Sequence, residues 1–343
     1  MPRTAIGSLL AVLYLVGASP AAALDPEKSA AQMIAPAEKA IERGLAYLAS
    51  RQHEDGSFGS GPYRGNVAVC GLAGTAFLAA GSTPGRGPYG GNVNRCVDYL
   101  LANCEQSGYI IAPGAPSHGP MYGHGFATMF LAECYGMSRR PDLRERLSKA
   151  VSLIVNCQNA EGGWRYYPQR RDADISVTVC QIMALRAARN AGLHVPKETI
   201  DRAIQYIKKC QNADGGFMYM LSEGGESAFP RSAAAVTALY GAGVYQGQEI
   251  SKGLEYLMQF IPAEGVVRRE GNYYEYGHYY AAQAFWQAGG KYWEKWYPAI
   301  RDELLSRQRE DGSWNSAFGP EYATAMCLMV LQMPNNYLPI FQR

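Results

Sequence analysis

Asp172 and Asp174 are separated by one residue and come immediately before an apolar stretch that begins at Ile175. A carboxylic acid can donate a proton near neutral pH when burial or a neighbouring negative charge raises its pKa. Asp172 is placed to supply such a charge to Asp174, so we predict both as candidate catalytic residues. The alternative is that Asp174 caps the following helix or forms a salt bridge, because a helix N-terminus favours the ionised carboxylate.

Polar side chains of several kinds recur at the start of other apolar stretches. They are Asn66, Tyr122, His124, Arg231, Tyr276, His278, Glu321 and Tyr322. Each alone is explained as a helix cap or a hydrogen-bonded interior residue. Their matching places lead us to hypothesise that one cavity mouth is lined by Asp172, Asp174, Arg231, His124 and His278. The predicted ligand-binding residues at these starts are His124, Tyr122, Arg231, Tyr276, His278 and Glu321.

The chain contains 24 tyrosines, several of which cluster between Tyr273 and Tyr280. Aromatic ring faces in a cavity can hold an apolar ligand or stabilise a carbocation. The alternative for any one tyrosine is packing between helices with its hydroxyl at the rim. We add Tyr279 from this cluster to the predicted ligand-binding residues.

A repeated phrase runs through the chain: a glutamine, a short polar step, an acidic residue, one or two glycines and an aromatic ring. Its clear copies are Gln52 to Phe58, Gln158 to Trp164, Gln211 to Phe217 and Gln308 to Trp314, and its weaker copies are Cys104 to Tyr109 and Pro262 to Val266. The interval from Gln158 to Gln211 is 53 residues, and that from Gln52 to Gln158 is 106. A period of roughly 50 residues predicts a stacked or closed array of helical units.

Two kinds of helix are predicted in each unit. The phrase follows a helix with a single apolar stripe, such as Ile200, Ile204 and Ile207, and its glutamine is placed to bond the free carbonyls at the end of that helix. The glycine after the acidic residue is suited to a left-handed conformation. A second helix, apolar on more than one side, is predicted at Val67 to Ala80, Gly125 to Tyr135, Ile175 to Ala188, Ser232 to Ala242, Tyr279 to Ala288 and Tyr322 to Leu331. The sequence therefore predicts an all-α fold, an α/α toroid (α6/α6 barrel) of six helix-pair repeats.

The repeated phrase resembles the QW repeat of the terpenoid cyclase and protein prenyltransferase superfamily, also described as the prenyltransferase and squalene oxidase repeat. The resemblance implies an α6/α6 barrel with a central cavity that opens at one end of the inner helices. Asp172 to Ser176 resembles the Asp-x-Asp-Asp-Thr segment of squalene-hopene type cyclases, in which the central Asp protonates an alkene. That position falls on Asp174, while Ile175 stands where the third Asp would be. The resemblance also suggests Trp164, Tyr276 or Tyr279 as a stabiliser of a carbocation.

The protein prenyltransferases of the same superfamily bind zinc, so the resemblance also raises the question of a zinc site in this chain. Tyr276 to Tyr280 is similar to the histidine segment of that zinc site, but Pro230 to Ala233 lacks the Asp-x-Cys partner. We therefore predict no metal site and no cofactor, and interpret His278 as a hydrogen-bonded cavity residue.

The N-terminal segment has the pattern of a signal peptide: Arg3, a short apolar stretch and a small-residue site that ends at Ala23. We expect residues 1–23 to be removed on export to the periplasm or outside the cell, leaving residues 24–343 as a single toroid domain without a transmembrane segment. A net charge of +2 and the absence of basic runs argue against nucleic acid as a partner. An apolar small molecule or a protein partner is expected instead.

Three classes of function remain open from the sequence. The first is an exported toroid that binds an apolar, isoprenoid-like ligand, with a cyclase (isomerase) activity if Asp174 acts as an acid. The second is a non-catalytic scaffold or protein-binding module. The third is a carbohydrate-active α6/α6 enzyme in which Asp174 and Glu321 would flank a sugar.

Overall fold

The computed structural model describes residues 32–115, 119–138, 140–262 and 273–342. The predicted signal peptide lies outside the described residues, as does the weak phrase copy at 262–266 apart from its first residue.

The described residues form twelve α-helices that alternate between an outer and an inner position. The outer helices are α1 (Glu38–Arg51), α3 (Gly90–Ala102), α5 (Pro141–Cys157), α7 (Lys197–Lys209), α9 (Gln248–Met258) and α11 (Gly290–Arg307). The inner helices are α2 (Val67–Ala79), α4 (Pro120–Met137), α6 (Ile175–Asn190), α8 (Phe229–Gly241), α10 (Tyr274–Ala288) and α12 (Pro320–Leu331). Nearly all residues of an inner helix are buried, whereas an outer helix such as α7 buries only one stripe. This difference is the one that the sequence patterns predict.

The inner helices form a closed ring. Each packs on the next, from α2 through α4, α6, α8 and α10 to α12, and α12 returns to pack on α2. Each outer helix packs on the inner helix that precedes it around the ring and, less extensively, on the inner helix of its own pair. The predicted all-α toroid of six helix pairs is confirmed.

The phrase glutamines join one unit to the next. Nε2 of Gln158 donates hydrogen bonds to the carbonyl of Gly162 at 2.8 Å and to that of Thr199, in the first turn of α7, at 2.9 Å. Gln308 makes the corresponding bond to the carbonyl of Ala40 in α1 at 2.8 Å, which ties the last unit to the first. The prediction that these amides bond the end of their own helix is therefore wrong, because the side chain reaches forward to the start of the next outer helix.

The phrase glycines have the predicted left-handed conformation. Gly162 has a φ of 101°, and the equivalent glycines Gly56, Gly215 and Gly312 have φ values of 87°, 88° and 87°. A Cβ on Gly162 would overlap the carbonyl of Arg202 in α7. Glycine is required here both by the backbone conformation and by the close approach of the next outer helix.

Four inner helices begin earlier than predicted, α8 by three residues, α12 by two and the other two by more. α4 starts at Pro120 and α10 at Tyr274, each five residues before the predicted start. Proline suits the first turn of a helix because its missing N–H has no partner there. His124 and His278 consequently lie within the second turn of their helices rather than at the start. Their side chains therefore point in a different direction from the one expected of residues at a helix start.

The end of the ring opposite the inner N-termini is covered by the C-terminal segment. Arg186, near the end of α6, donates to the carbonyl of Gln342 at 3.0 Å, and Gln287, near the end of α10, donates to the same carbonyl at 2.9 Å. Ile340 and Phe341 are buried. Among the described helices, none combines the length and the apolar character that a membrane crossing needs.

Candidate functional site

A cavity of about 490 Å³ lies at the N-terminal end of the inner ring. All six inner helices, or the residues just before them, contribute to its wall. Its aromatic residues are Tyr63, Tyr122, Phe126, Tyr166, Tyr219, Tyr273, Tyr276, Phe318 and Tyr322. The remaining lining residues are Asn66, Ala68, Val69, Gly119, Gly123, Ser176, Ala228, Pro230 and Arg231. The wall is thus mostly aromatic, and Arg231 carries the only charge among the described residues that form it.

Arg231 is half-buried in the first turn of α8. Its Nε donates to the carbonyl of Phe217 at 3.0 Å, and its Nη2 donates to the carbonyl of Glu226. Burial lowers the pKa of the guanidinium, which nevertheless stays charged because an arginine starts from so high a value.

Three of the ten predicted site residues line this cavity: Tyr122, Arg231 and Tyr276. The hydroxyl of Tyr276 donates to the carbonyl of Ser176 at 3.1 Å and thereby links α10 to α6 across the ring. The Tyr122 ring lies 6.2 Å from that of Tyr166.

Asp174 lies behind the cavity wall and caps α6. Its side chain is completely buried, and its Oδ1 accepts a hydrogen bond from the backbone N–H of Val177 at 2.8 Å. Burial raises the pKa of the carboxyl from 3.8 to about 6, although the Val177 N–H and the Arg165 guanidinium lower it. Among the described residues, none gives Oδ2 a hydrogen bond of good geometry; Nε of Arg165 lies 3.9 Å away. Asp174 therefore caps α6 and also has a raised pKa.

Asp172 does not lie in the cavity. Its side chain is 54% exposed, and its Oδ2 lies 3.3 Å from Nε of Arg165. The raised pKa of Asp174 comes from burial, so the expected contribution from Asp172 is replaced by an ion pair between Asp172 and Arg165.

Tyr166 and Tyr219 connect the buried carboxyl to the cavity. Their hydroxyls are 2.6 Å apart, and both rings line the wall. The guanidinium of Arg165 lies over them, 4.8 Å from the centre of the Tyr166 ring and 5.7 Å from that of Tyr219. The Tyr219 hydroxyl is near enough to Asp174 to lower the pKa of that carboxyl. Tyr219 thus both influences this carboxyl and lines the open volume.

His124 points away from the cavity, toward the outer helix α5. Its Nδ1 accepts from the backbone N–H of Ile110 at 3.2 Å, and its Nε2 donates to the carbonyl of Ala150 at 3.2 Å. Burial lowers the pKa of the imidazole to about 4, so it is neutral at physiological pH. The structure therefore corrects the expectation that His124 binds a ligand at the cavity mouth.

His278 also lies between an inner helix and its neighbours. Its ring centre is 4.4 Å from that of Tyr274, 5.0 Å from that of Phe229 and 6.0 Å from that of Trp296 in α11. Of the five residues hypothesised to share one cavity mouth, only Arg231 lines the cavity. In the described part of the chain, no group of three His, Cys, Asp or Glu residues is arranged to hold a metal ion.

The other predicted site residues are also packed outside the cavity. Glu321 forms an ion pair with Arg51 at 3.1 Å and accepts from the hydroxyl of Ser60 at 2.9 Å. Trp164 is buried in its own unit, where its Nε1 donates to the carbonyl of Ile154 at 2.7 Å. Tyr279 is completely buried, so it does not line the cavity.

The sequence nevertheless contained a signal for four cavity tyrosines that we did not select. Tyr273 belongs to the tyrosine cluster and Tyr322 stands at the start of an apolar stretch, while Tyr166 and Tyr219 each follow the aromatic residue of their phrase by two positions. Tyr63, Phe126 and Phe318 carry no comparable pattern and become recognisable only in the fold.

Comparison with known families supports the superfamily resemblance. Residues 127–278 match the family model of the squalene-hopene cyclase C-terminal domain. A search among curated protein sequences gives no significant match.

Solved structures with the same fold include a terpene cyclase and two enzymes that act on carbohydrates. The type II terpene cyclase MstE from Scytonema, in a variant bound to its substrate geranylgeranyl dihydroxybenzoate, matches with a TM-score of 0.62 and 13% identity over 90% of this chain and 99% of that chain. A cellobiose 2-epimerase from Bacillus thermoamylovorans matches with a TM-score of 0.66 and 14% identity over 88% of this chain and 99% of that chain. An inactive variant of an α-1,6-mannanase of Salegentibacter, in complex with α-1,6-mannotriose, matches with a TM-score of 0.64 and 7% identity over 86% of this chain and 97% of that chain.

At these identities the solved structures establish the fold alone, because this fold carries several unrelated activities. The sequence comparison adds one finding, the match to the squalene-hopene cyclase C-terminal domain. It confirms the predicted resemblance to the terpenoid cyclase superfamily, and through residues 127–278 this chain is similar to the C-terminal domain of squalene-hopene cyclases.

Proposed function

We propose that this protein binds an apolar, isoprenoid-like molecule in the tyrosine-lined cavity. The observation that carries the proposal is the composition of the wall, in which nine of the eighteen lining residues are Tyr or Phe. A volume of about 490 Å³ falls within the range of small-molecule sites, roughly 300–1,000 Å³. The similarity to terpenoid cyclases supports an isoprenoid as the apolar ligand.

A carbohydrate-cleaving site is less consistent with this cavity. Such a site needs two carboxyl groups that flank the sugar. Of the predicted pair, Glu321 is held by Arg51 and Ser60, and Asp174 lies behind the wall. The described lining residues include no carboxylate.

Protonation of the bound ligand is a second candidate function, and the environment of Asp174 is the observation that favours it. Its pKa of about 6 leaves a fraction of the carboxyl protonated near neutral pH. A proton from this carboxyl would reach the cavity through the hydroxyl of Tyr219, which influences the carboxyl and belongs to a lining residue. The activity would be an isomerisation, because protonation followed by loss of a proton leaves the mass of the ligand unchanged.

The test is mass spectrometry of the organic extract after the purified protein has been incubated with a mixed isoprenoid pool. Ala68→Trp places a large ring on a small lining residue in α2, and Ala46→Trp adds the same ring on the exposed face of α1 as a control. We expect an isoprenoid in the extract of the native protein and of Ala46→Trp, and a large loss of it in Ala68→Trp. Equal retention by both variants, or an empty extract from the native protein, would contradict the proposal and favour a scaffold.

Asp174→Asn separates binding from chemistry in the same experiment. Asn caps helices about as well as Asp, so the variant is expected to fold. A new isomer of unchanged mass that forms with the native protein and not with Asp174→Asn would establish protonation by Asp174. Retained but unaltered isoprenoid would limit the function to binding.

A further inference from the structure

Two buried cysteines lie together where α2 packs on α3. Cys70 is the fourth residue of α2, and Cys96 lies in the middle of α3. The Cys70 thiol donates to the carbonyl of Gly56 at 3.7 Å and to that of Cys96 at 4.0 Å. Nε2 of Gln52 donates to the same Gly56 carbonyl at 3.0 Å and to Sγ of Cys96 at 3.5 Å. The two sulfur atoms therefore share one small space, which is bordered by the carbonyl of Gly56 and the amide of Gln52.

The Cys96 thiol acts directly on that of Cys70. Burial raises the pKa of the Cys70 thiol well above its usual value, and a hydrogen bond with the Cys96 thiol raises it further. A hydrogen bond between the two means that no other side chain separates the sulfur atoms. In the folded protein Cys70 stays a thiol at physiological pH.

Cys70 departs from the residue type that three other inner helices have at this place. The fourth or fifth residue of α6, α8 and α12 carries a hydroxyl that accepts a hydrogen bond from the backbone N–H of the phrase aromatic residue. These pairs are Thr178 with Trp164 at 3.0 Å, Ser232 with Phe217 at 2.9 Å and Thr324 with Trp314 at 3.0 Å. A thiol is a weaker hydrogen-bond partner than a hydroxyl, so the repeat alone does not account for a cysteine here.

Cys96 departs from the repeat as well. It lies four residues after Asn92, whose carbonyl accepts a hydrogen bond from Gln52. The residues four positions after the corresponding carbonyls of Thr199, Glu249 and Ala40 are Ala203, Gly253 and Gly44. Both departures are thus to cysteine, and they fall on two residues that contact each other.

We propose that Cys70 and Cys96 are a disulfide site, at which a bond joins α2 to α3 when the protein folds in an oxidising compartment. Disulfides persist in such compartments, and the expected export would take the protein to one. α2 contributes Asn66, Ala68 and Val69 to the cavity wall, so the bond fixes one side of the cavity to an outer helix. The site goes beyond the proposed binding function and does not depend on it.

The bond forms by thiol–disulfide exchange. The two thiols together lose two protons and two electrons as the S–S bond forms. The electrons pass through a mixed disulfide to a second disulfide, such as oxidised glutathione, which leaves as two molecules of the reduced thiol. Because the thiolate is the attacking form, the raised pKa of Cys70 slows this exchange once the protein is folded. The bond is therefore expected to form during folding, before burial is complete.

The experiment counts and maps thiols after the protein has folded under oxidising conditions. One sample is refolded from the reduced, unfolded state with a mixture of reduced and oxidised glutathione. Another is folded in a bacterial periplasm behind an unrelated signal peptide, so the result does not depend on the predicted signal peptide. Remaining thiols are blocked by alkylation, and the masses of the intact protein and of its tryptic peptides are measured.

Three variants identify the partner of Cys70. Trypsin releases Cys70 on the peptide of residues 65–86. The peptide of residues 96–139 carries three candidate partners, which are Cys96, Cys104 and Cys134. Each is therefore replaced by Ala in turn. Alanine is the residue at the equivalent position 203, so Cys96→Ala is expected to fold.

We expect the oxidised native protein to carry two blocking groups fewer than the reduced protein, in which all eight cysteines are blocked. The two peptides should be linked in the native protein, in Cys104→Ala and in Cys134→Ala, and separate in Cys96→Ala.

Eight blocked thiols in both samples of the native protein would overturn the proposal. A link between the two peptides that survives in Cys96→Ala would overturn it as well, because Cys70 would then have a different partner. If the refolding sample stays unfolded, the periplasmic sample decides by the same two criteria. Neither result changes the proposed ligand binding.

Discussion

The hydroxyls of Tyr166 and Tyr219 lie 2.6 Å apart, although the residues are separated by 53 positions in the chain. That separation is one repeat, and each tyrosine follows the aromatic residue of its glutamine phrase by two positions. The repeat therefore does more than build the ring, because it places equivalent side chains from neighbouring units next to each other on the cavity wall. Behind this pair lies Asp174, whose buried carboxyl is the main candidate for chemistry.

The raised pKa of Asp174 predicts a specific pH dependence of stability. The folded-state pKa is about 6 and the reference value is 3.8, so between these values the folded protein binds more protons than the unfolded chain. The free energy of unfolding therefore falls as pH rises through this window, by about 3 kcal/mol from this one group. Asp174→Asn removes that contribution. Denaturant unfolding of both proteins at pH 4 to 7 should show the native protein losing stability relative to the variant, and parallel curves would contradict the assignment.

Arg165 should hold the pKa of Asp174 down. Its guanidinium lies 3.9 Å from Oδ2 of Asp174, and its charge favours the ionised carboxylate. Arg165→Met keeps much of the side-chain bulk and removes the charge, so the pKa of Asp174 should rise above about 6. Carboxyl-carbon NMR titration with labelled aspartate measures this directly, with Asp174→Asn to identify the signal. An unchanged or lower pKa would show that Arg165 does not act on this carboxyl.

The phrase glycines should tolerate substitution less well than left-handed glycines that have open space around them. Gly162 has a φ of 101°, and a Cβ there would overlap the carbonyl of Arg202. Gly192 has a similar φ of 86° but open space around it. Gly192→Ala should cost about 1–2 kcal/mol for the backbone conformation alone, and Gly162→Ala should cost more because α7 must also move. Equal losses of stability in thermal unfolding would mean that the contact with α7 is unimportant.

The expected export gives a prediction about the N-terminus of the protein in its host. Cleavage after Ala23 would leave Leu24 as the first residue. Intact-mass measurement of protein purified from the periplasmic or extracellular fraction checks this. A retained N-terminal segment in a cytoplasmic fraction would contradict export.

The fold could be predicted from the sequence largely because its signals are local and repeated. The phrase around Gly162 combines a required turn conformation with a helix end, and similar phrases mark four units clearly. The hydrogen-bond partner of each glutamine was not predictable. Gln158 bonds the carbonyl of Thr199 in the next unit, and the sequence of the phrase does not indicate which residue of that unit accepts the bond.

The candidate site was harder to predict for a different reason. An inner helix is apolar on all sides, so its pattern does not show which face meets the cavity. His124 and His278 occupy equivalent places early in α4 and α10, but both point toward outer helices, whereas Tyr122 and Tyr276, two positions earlier, face the cavity. The burial that raises the pKa of Asp174 likewise depends on packing around it, which the Asp172–Asp174 spacing could not reveal.

Photo-crosslinking with a diazirine derivative of farnesol, followed by peptide mapping, tests most directly whether the tyrosine-lined cavity is the ligand site. We expect the label to fall on peptides that contain Tyr122, Tyr219 and Tyr276, and we expect Ala68→Trp to abolish the labelling while Ala46→Trp does not. Labelling of outer-helix peptides, or of the C-terminal segment at residues 338–342, that persists in Ala68→Trp would contradict this expectation.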